Sequence, residues 1–419
     1  MSEADRAEGR GALGYVLGAT VLAGVIGYVI QAVVPGFTAA DEYITFSVFW
    51  SIVYLVVSAL SGVQQEVTRA AHVAAPAGGT RTLVGFALLY ASGAAVLIVA
   101  LSPLWASQVL PPEALADAGG AVVQLVAALA VAAVGYTFVA VLSGALYGVR
   151  NWPGVAAMTV SDSVLRLIAI AAALALGAGV AGLGWAVAAP FLLAAAGVWL
   201  FTGRGIRASL ALDTGMPGLL RNSVRTVGAA VATGIMISGL PFLLGVTSDR
   251  TQPELLASLI LVITLTRAPL VIPLLALQSL LIVTFRDAPG RVAARVRLWG
   301  AGLLLVTAVL SALAVVVGPW VIALLYGDRY ALPAPAYAAI VASAGLTALL
   351  CLTGPAVLAA GDHGRYLLGW AAASASLIGL LLLPLPELER VLLALCASPV
   401  VGVLIHATGL VRRRNGVSG

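Results

Sequence analysis

The feature that most limits this chain is a succession of apolar runs, each close to the roughly 20 residues that a helix needs to cross the hydrocarbon core of a bilayer. Charges and Pro/Gly clusters punctuate them, and twelve spans emerge. The first six run over 11–34, 43–65, 82–105, 120–148, 155–177 and 181–202. The second six run over 224–247, 254–284, 298–326, 334–359, 365–384 and 388–410. The first is too long for a signal peptide and reads as a span. Only 9% of the 419 residues are charged, against about 25% in a soluble domain. Lipid is therefore the solvent, and soluble enzymes and nucleic-acid binders are excluded.

The charges fix an orientation. With the N-terminus inside, 17 Arg fall in inner segments and only Arg250, Arg329 and Arg390 in outer ones, a positive-inside bias that places both termini in the cytoplasm of a bacterial inner membrane. All 22 basic residues are Arg. Without Lys there is no Walker A loop, Schiff-base lysine or Ser-x-x-Lys nucleophile, so the chain does not hydrolyse ATP by itself. Cys351 and Cys396 lie in apolar runs, and His72, His363 and His406 lack ligand spacing; neither a disulfide framework nor a metal site is expected, and no cofactor.

The punctuation repeats. Arg10 precedes span one as Arg225 precedes span seven, Arg69 ends span two as Arg286 ends span eight, and Arg150 follows span four as Arg365 follows span ten, at offsets of 215, 217 and 215. Six is an even number of crossings, so the halves form a parallel repeat. The expected architecture is an all-α integral membrane protein with twelve transmembrane helices in two parallel six-helix lobes: 1–202, a basic cytoplasmic linker 203–223, and 224–419. Two such lobes suit alternating access. The longest outer loop, 106–119, is too short for a catalytic domain.

Charges within spans are costly and therefore informative. Arg267 sits 13 residues from Glu254 and 19 from Arg286, near mid-membrane and too deep to snorkel. Pro269 and Pro273 follow it, predicting a kink that frees carbonyls towards a cavity, and a cavity-lining role is preferred to a buried pair. Asp162 and Arg166 are four apart on span five and share a face; a structural salt bridge and a role in ion coupling or substrate binding both fit, with Asp162 the ion-coupling candidate as the only acid in any span. Gln65 and Arg69, in the QQEVTR end of span two, suit either an inward vestibule or a solvated helix end. Trp105, Trp320, Tyr326 and Tyr330 read as interfacial belt residues.

Several stretches carry a family resemblance. GPWVIALLYGDRY at 318–330, LTRAPLVIPLLALQSLLIVTF at 265–285, SDSVLRL on span five and LAAGDHGRY after span ten are similar to the polysaccharide and lipid-linked oligosaccharide flippases (Wzx-type) of the multidrug/oligosaccharidyl-lipid/polysaccharide (MOP) exporter superfamily. The resemblance implies a MATE-like pair of lobes around a cavity that moves an undecaprenyl-pyrophosphate-linked glycan to the outer leaflet for polysaccharide or lipopolysaccharide biosynthesis. It implies membrane lipids and glycan-assembly enzymes as partners, and Arg267, with Arg166 and Arg69, facing the pyrophosphate. Arg is suited to this because its planar fork binds two phosphate oxygens at once. The rival readings are a cation-coupled drug or metabolite exporter of the same superfamily, a major-facilitator transporter, whose Gly-x-x-x-Asp-Arg/Lys loop is missing here, and a membrane-embedded glycosyltransferase using Asp41 and Glu42.

Overall fold

The computed structural model describes residues 3–74, 79–109, 119–248, 252–286 and 289–416. Glu113, Asp117, Asp249 and Arg250, which the charge argument placed outside, lie outside these residues. So do the side chains of Arg6, Arg10, Arg412, Arg413 and Arg414.

The first six expected spans each fall on one helix: α1 (Glu3–Phe37), α2 (Ala40–Ala70), α3 (Gly79–Val109), α4 (Gly119–Gly148), α5 (Trp152–Ala175) and α6 (Gly179–Ser209). The second half is more broken. Span seven divides into α7 (Met216–Ser238) and α8 (Leu240–Thr247), bent by 71° at Gly239. The cause is local: Pro241 has no N–H to continue the ladder, and a Cβ on Gly239 would lie 2.7 Å from the Ile235 carbonyl oxygen, so the bend needs glycine. Span eight divides into α9 (Pro253–Ala276) and α10 (Gln278–Arg286). Instead of a kink at the prolines there is an interruption beyond them: α9 runs through Pro269 and Pro273 and gives way a turn later, in a ladder already short of two donors. Four helices complete the chain, α11 (Val292–Tyr326), α12 (Ala334–Ala359), α13 (His363–Leu381) and α14 (Glu387–Gly416).

The expected count of twelve is not reached by length and apolarity. Among the described residues, ten helices are long and apolar enough to cross a membrane, or eleven with α7 and α8 taken as one span. The expected eleventh span is α13, a 19-residue helix that opens on His363 and Arg365.

The chain forms two compact units, Met1–Ile30 with Thr45–Gly234 and Gln31–Ile44 with Ile235–Gly419. In the first, α4 packs on α3 and α6, and α5 on α6; in the second, α12 packs on α11 and α14, and α13 on α14. These are the same neighbours six spans apart. The two hubs, α4 and α12, are 67% and 72% buried over their apolar windows, against 11% for α11. Both hubs are apolar all round, as a fully enclosed helix must be, and small residues admit their neighbours closely: a Cβ on Gly135 would meet Phe191, and one on Gly345 would meet Thr307.

The repeat is clearest in one turn. α4 ends with Arg150 N donating to Tyr147 O (3.1 Å) and Asn151 N to Leu146 O (2.8 Å); α12 ends with Gly361 N donating to Leu358 O (2.8 Å) and Asp362 N to Val357 O (3.2 Å). Arg150 (φ 57°) and Gly361 (φ 76°) hold the left-handed position that closes such an end. Asn151 Oδ1 then caps Gly154 N and Asp362 Oδ1 caps Arg365 N, each at 3.0 Å. The equivalent of Arg150 is therefore Gly361 rather than Arg365, because backbone conformation and not charge sets the register.

The segment expected as a linker, 203–223, is folded into the first unit. It holds the end of α6, a strand β2 (Leu210–Leu212) and the start of α7; β2 pairs antiparallel with β1 (Ala71–Val73), His72 facing Ala211. Conversely, Gln31–Ile44 belongs with the second unit. Tyr326 Oη donates to Ala32 O (2.7 Å) and Tyr330 Oη to Pro35 O (3.2 Å), and the Tyr330 ring meets Tyr43 edge-on. Tyr326 and Tyr330 are thus chain anchors, correcting their reading as belt residues; Trp320, 63% exposed, keeps that character.

Candidate functional site

Asp162 and Arg166 lie one turn apart on α5 and pair at 2.6 Å. Every guanidinium nitrogen of Arg166 is engaged: Nη2 with Asp162, Nη1 with Tyr54 Oη (2.8 Å) and Nε with Val187 O (3.3 Å). The guanidinium also lies 4.3 Å from the centre of the Phe191 ring, and Tyr54 stacks on Trp50 at 4.8 Å. Arg166 is therefore held among α2, α5 and α6 with its charge answered and its donors spent. Asp162 is the more open partner, its side chain 17% exposed against 4% for Arg166. Of the two readings left open by the sequence, the structural one describes Arg166; the Asp162 carboxylate is partly exposed.

Arg267 is different. It projects from α9 in the second unit and is buried to 9% exposure without an ion pair among the described residues. Nη2 donates to Thr347 Oγ1 (3.0 Å) on α12 and to Met236 O (3.4 Å) in the last turn of α7. That last turn precedes the break at Gly239, so the cation sits on carbonyls that the interrupted helix leaves without intrahelical donors. Nε and Nη1 have no acceptor among the described residues, which leaves the guanidinium fork able to take two oxygens of an anion. Thr347 in turn donates to Ser343 O (3.0 Å), and the face that Arg267 meets is uncharged.

At the end of α2 the charges are reversed. Arg69 is clasped by both oxygens of Glu66 (2.9 and 2.7 Å) and reaches Asp213 at 2.9 Å, while Asn222 Nδ2 donates to Glu66 Oε1 at 2.9 Å. One cation faces two carboxylates, so Arg69 has no positive charge to spare for a phosphate. Gln65 is exposed beside it. The five candidates thus fall in three places: Asp162 with Arg166, Arg69 with Gln65, and Arg267 in the other unit.

Tyr54, Asn222, Asp213 and Thr347 were not singled out from the sequence. Each is a lone polar side chain whose importance comes from a distant partner, and only Tyr54, a hydroxyl inside an apolar run, left a trace. His406 is fully buried, with Nδ1 3.0 Å from Thr353 Oγ1, Nε2 3.3 Å from Tyr366 O and its ring stacked on Tyr366; both nitrogens have partners, so it serves packing. Glu42 accepts from Ala39 N at 3.3 Å, so it caps α2 rather than standing ready for a metal. Among the described residues, no three His, Cys, Asp or Glu side chains gather as metal ligands.

No protein-family model matches the chain. It is 35% identical over 417 residues to "Uncharacterized protein Rv1510" of Mycobacterium tuberculosis (strain ATCC 25618 / H37Rv), covering 96% of this chain and 92% of that protein. It is also 34% identical over 412 residues to "Uncharacterized protein Mb3654" of Mycobacterium bovis (strain ATCC BAA-935 / AF2122/97), with 94% and 90% covered. The chain belongs to the Rv1510 family. Solved structures show what the fold of this chain is similar to. An inward-facing multidrug resistance MATE family transporter of the MOP superfamily superposes with a TM-score of 0.67 at 15% identity, covering 95% of this chain and 96% of the other. The eukaryotic MATE transporter AtDTX14 superposes with 0.62 at 16% identity, covering 95% and 94%. The chain is a multi-pass membrane protein with the fold seen in these MATE transporters.

Proposed function

We propose that the chain is an alternating-access transporter that carries a lipid-linked oligosaccharide or polysaccharide precursor from the cytoplasmic to the outer leaflet, with Arg267 contacting the pyrophosphate and both termini in the cytoplasm. The single observation that carries the reading is the buried, unpaired charge of Arg267. A desolvated cation with only neutral acceptors is unfavourable by several kcal/mol unless an anion completes it. A pyrophosphate supplies that anion, and the broken helix beside it is the kind of element that lines transporter sites. Arg166 and Arg69, both answered by carboxylates, take no part in phosphate binding in this reading. The test is transbilayer movement of a polyprenyl-pyrophosphate saccharide in liposomes, wild type against Arg267→Met. Movement that falls at least tenfold in the variant supports the assignment; equal movement removes Arg267 from it, and no movement of any lipid-linked sugar removes the substrate.

A cation-coupled exporter is the second reading. It is favoured by the partial exposure of Asp162, a carboxylate able to exchange a proton or sodium ion, and by the fold shared with a multidrug resistance transporter. Gradient-driven efflux of a cationic dye that is lost in Asp162→Asn would select it.

A further inference from the structure

The first unit carries a groove that neither reading uses. It has a volume of about 460 Å³ and lies among the start of α3, the end of α4 and the second half of α6. That size falls within the roughly 300–1,000 Å³ of small-molecule sites. Its wall is apolar, with Val84, Leu142, Ala196 and Trp199 typical, apart from Thr80 and Arg207. Along α6 it runs from Leu192 to Arg207, about 22 Å at 1.5 Å per residue. That is comparable with one leaflet including its headgroup layer, about half of 40–45 Å. The Arg-rich end of the groove is the headgroup end, since α6 closes there with Arg204 and Arg207 and α3 opens with Arg81.

One polar group at that end has an unmet demand. Arg207 lies 5.0 Å from the centre of the Trp199 ring, is exposed, and forms no ion pair among the described residues. Thr80 keeps its Oγ1 buried beneath the wall. A groove as deep as a leaflet and a cation at its mouth are what one chain and the phosphate of an anionic lipid would complete. The volume suits one acyl chain, whereas a long polyprenyl tail would overrun it.

We infer that this groove binds an anionic glycerophospholipid of the leaflet on the Arg-rich face, with one acyl chain between α3, α4 and α6 and its phosphate on Arg207. The inference rests on the membrane-spanning fold and not on what is transported. The site would keep α3 seated against α4 and α6 by filling a space that their side chains leave open.

The experiment is native mass spectrometry of the full chain released from nanodiscs with phosphatidylglycerol or phosphatidylcholine as the probe. Wild type is expected to retain one phosphatidylglycerol, at least about tenfold more tightly than phosphatidylcholine, as one charge-assisted contact implies. Arg207→Ala should bring the two lipids within about twofold of each other, the same contact being lost. Ala196→Trp, at an exposed lining position that needs no repacking of the core, should abolish retention of both. Arg204→Ala, exposed on the same helix but outside the lining, should behave as wild type and controls for general surface charge. Equal retention of both lipids by wild type, undiminished retention in Ala196→Trp, or equal losses in Arg204→Ala and Arg207→Ala would overturn the inference. So would stoichiometric displacement of phosphatidylglycerol by decaprenyl phosphate, which would give the groove to a polyprenyl carrier.

Discussion

Each unit buries one arginine among its described residues, and the two are solved differently. Arg166 has a carboxylate one turn away, a phenol, a carbonyl and an aromatic face; Arg267 has a threonine hydroxyl and a carbonyl. A charge whose counter-ion comes from its own helix is complete in the folded chain and holds three helices together. A charge answered only by neutral dipoles retains a large desolvation cost, which an incoming anion can offset. The same residue type, buried in each, is thus a fastener in one unit and a candidate ligand contact in the other.

The largest effect should come from breaking the fastener. Arg166→Met leaves Asp162 buried and alone and is expected to cost about 3–5 kcal/mol in stability, read as a fall in Tm in detergent. Asp162→Asn added to it should recover most of that loss, because no bare charge then remains. Arg267→Met should raise the Tm, because the desolvation cost of an unanswered cation is removed, yet lower flipping of a polyprenyl-pyrophosphate saccharide about ten- to a hundredfold, the value of a charge-assisted hydrogen bond. A drop in Tm as large as that of Arg166→Met would erase the distinction between the two units. Thr347→Val removes one neutral acceptor from Arg267 and should cost about 1 kcal/mol in Tm measurements. The smallest effect on transport is expected from Arg69→Ala: Glu66 is buried and keeps only Asn222, so stability should fall by about 1–3 kcal/mol while transport hardly changes. A transport defect there, at unchanged Tm, would move the phosphate contact to the end of α2.

Much of the fold was legible because a membrane imposes a length on its helices. The first six spans fall on six helices, and Arg267, placed in the interior of span eight by its distance to Glu254 and Arg286, is buried. The helix period also placed Asp162 beside Arg166. Interruptions were harder to place, since Pro273 shows that a ladder is weak without showing which turn will open. Partnerships across the chain left no periodic trace. Asp213 neutralises Arg69 from 144 residues away, and Tyr326 reaches Ala32 across 294, so a vestibule cation became part of an acidic cluster and a belt residue became an anchor. The repeat was visible as spacing but was set against the wrong landmark at Arg365, because a left-handed residue such as Arg150 carries no signature in its side chain.

The short pairing of β1 with β2 also orders events in time. His72 faces Ala211, and at about 5–20 residues added per second a ribosome takes roughly 10–30 s to make the stretch between them. Throughout that interval the Ala71–Val73 backbone is a strand edge with no mate, and α3, α4, α5 and α6 must all be threaded into the bilayer before one arrives. The first unit is therefore sealed late, by the strand that follows its sixth helix, and a nascent chain stalled before Leu210 lacks that closing stitch together with the α7 turns that complete the bundle.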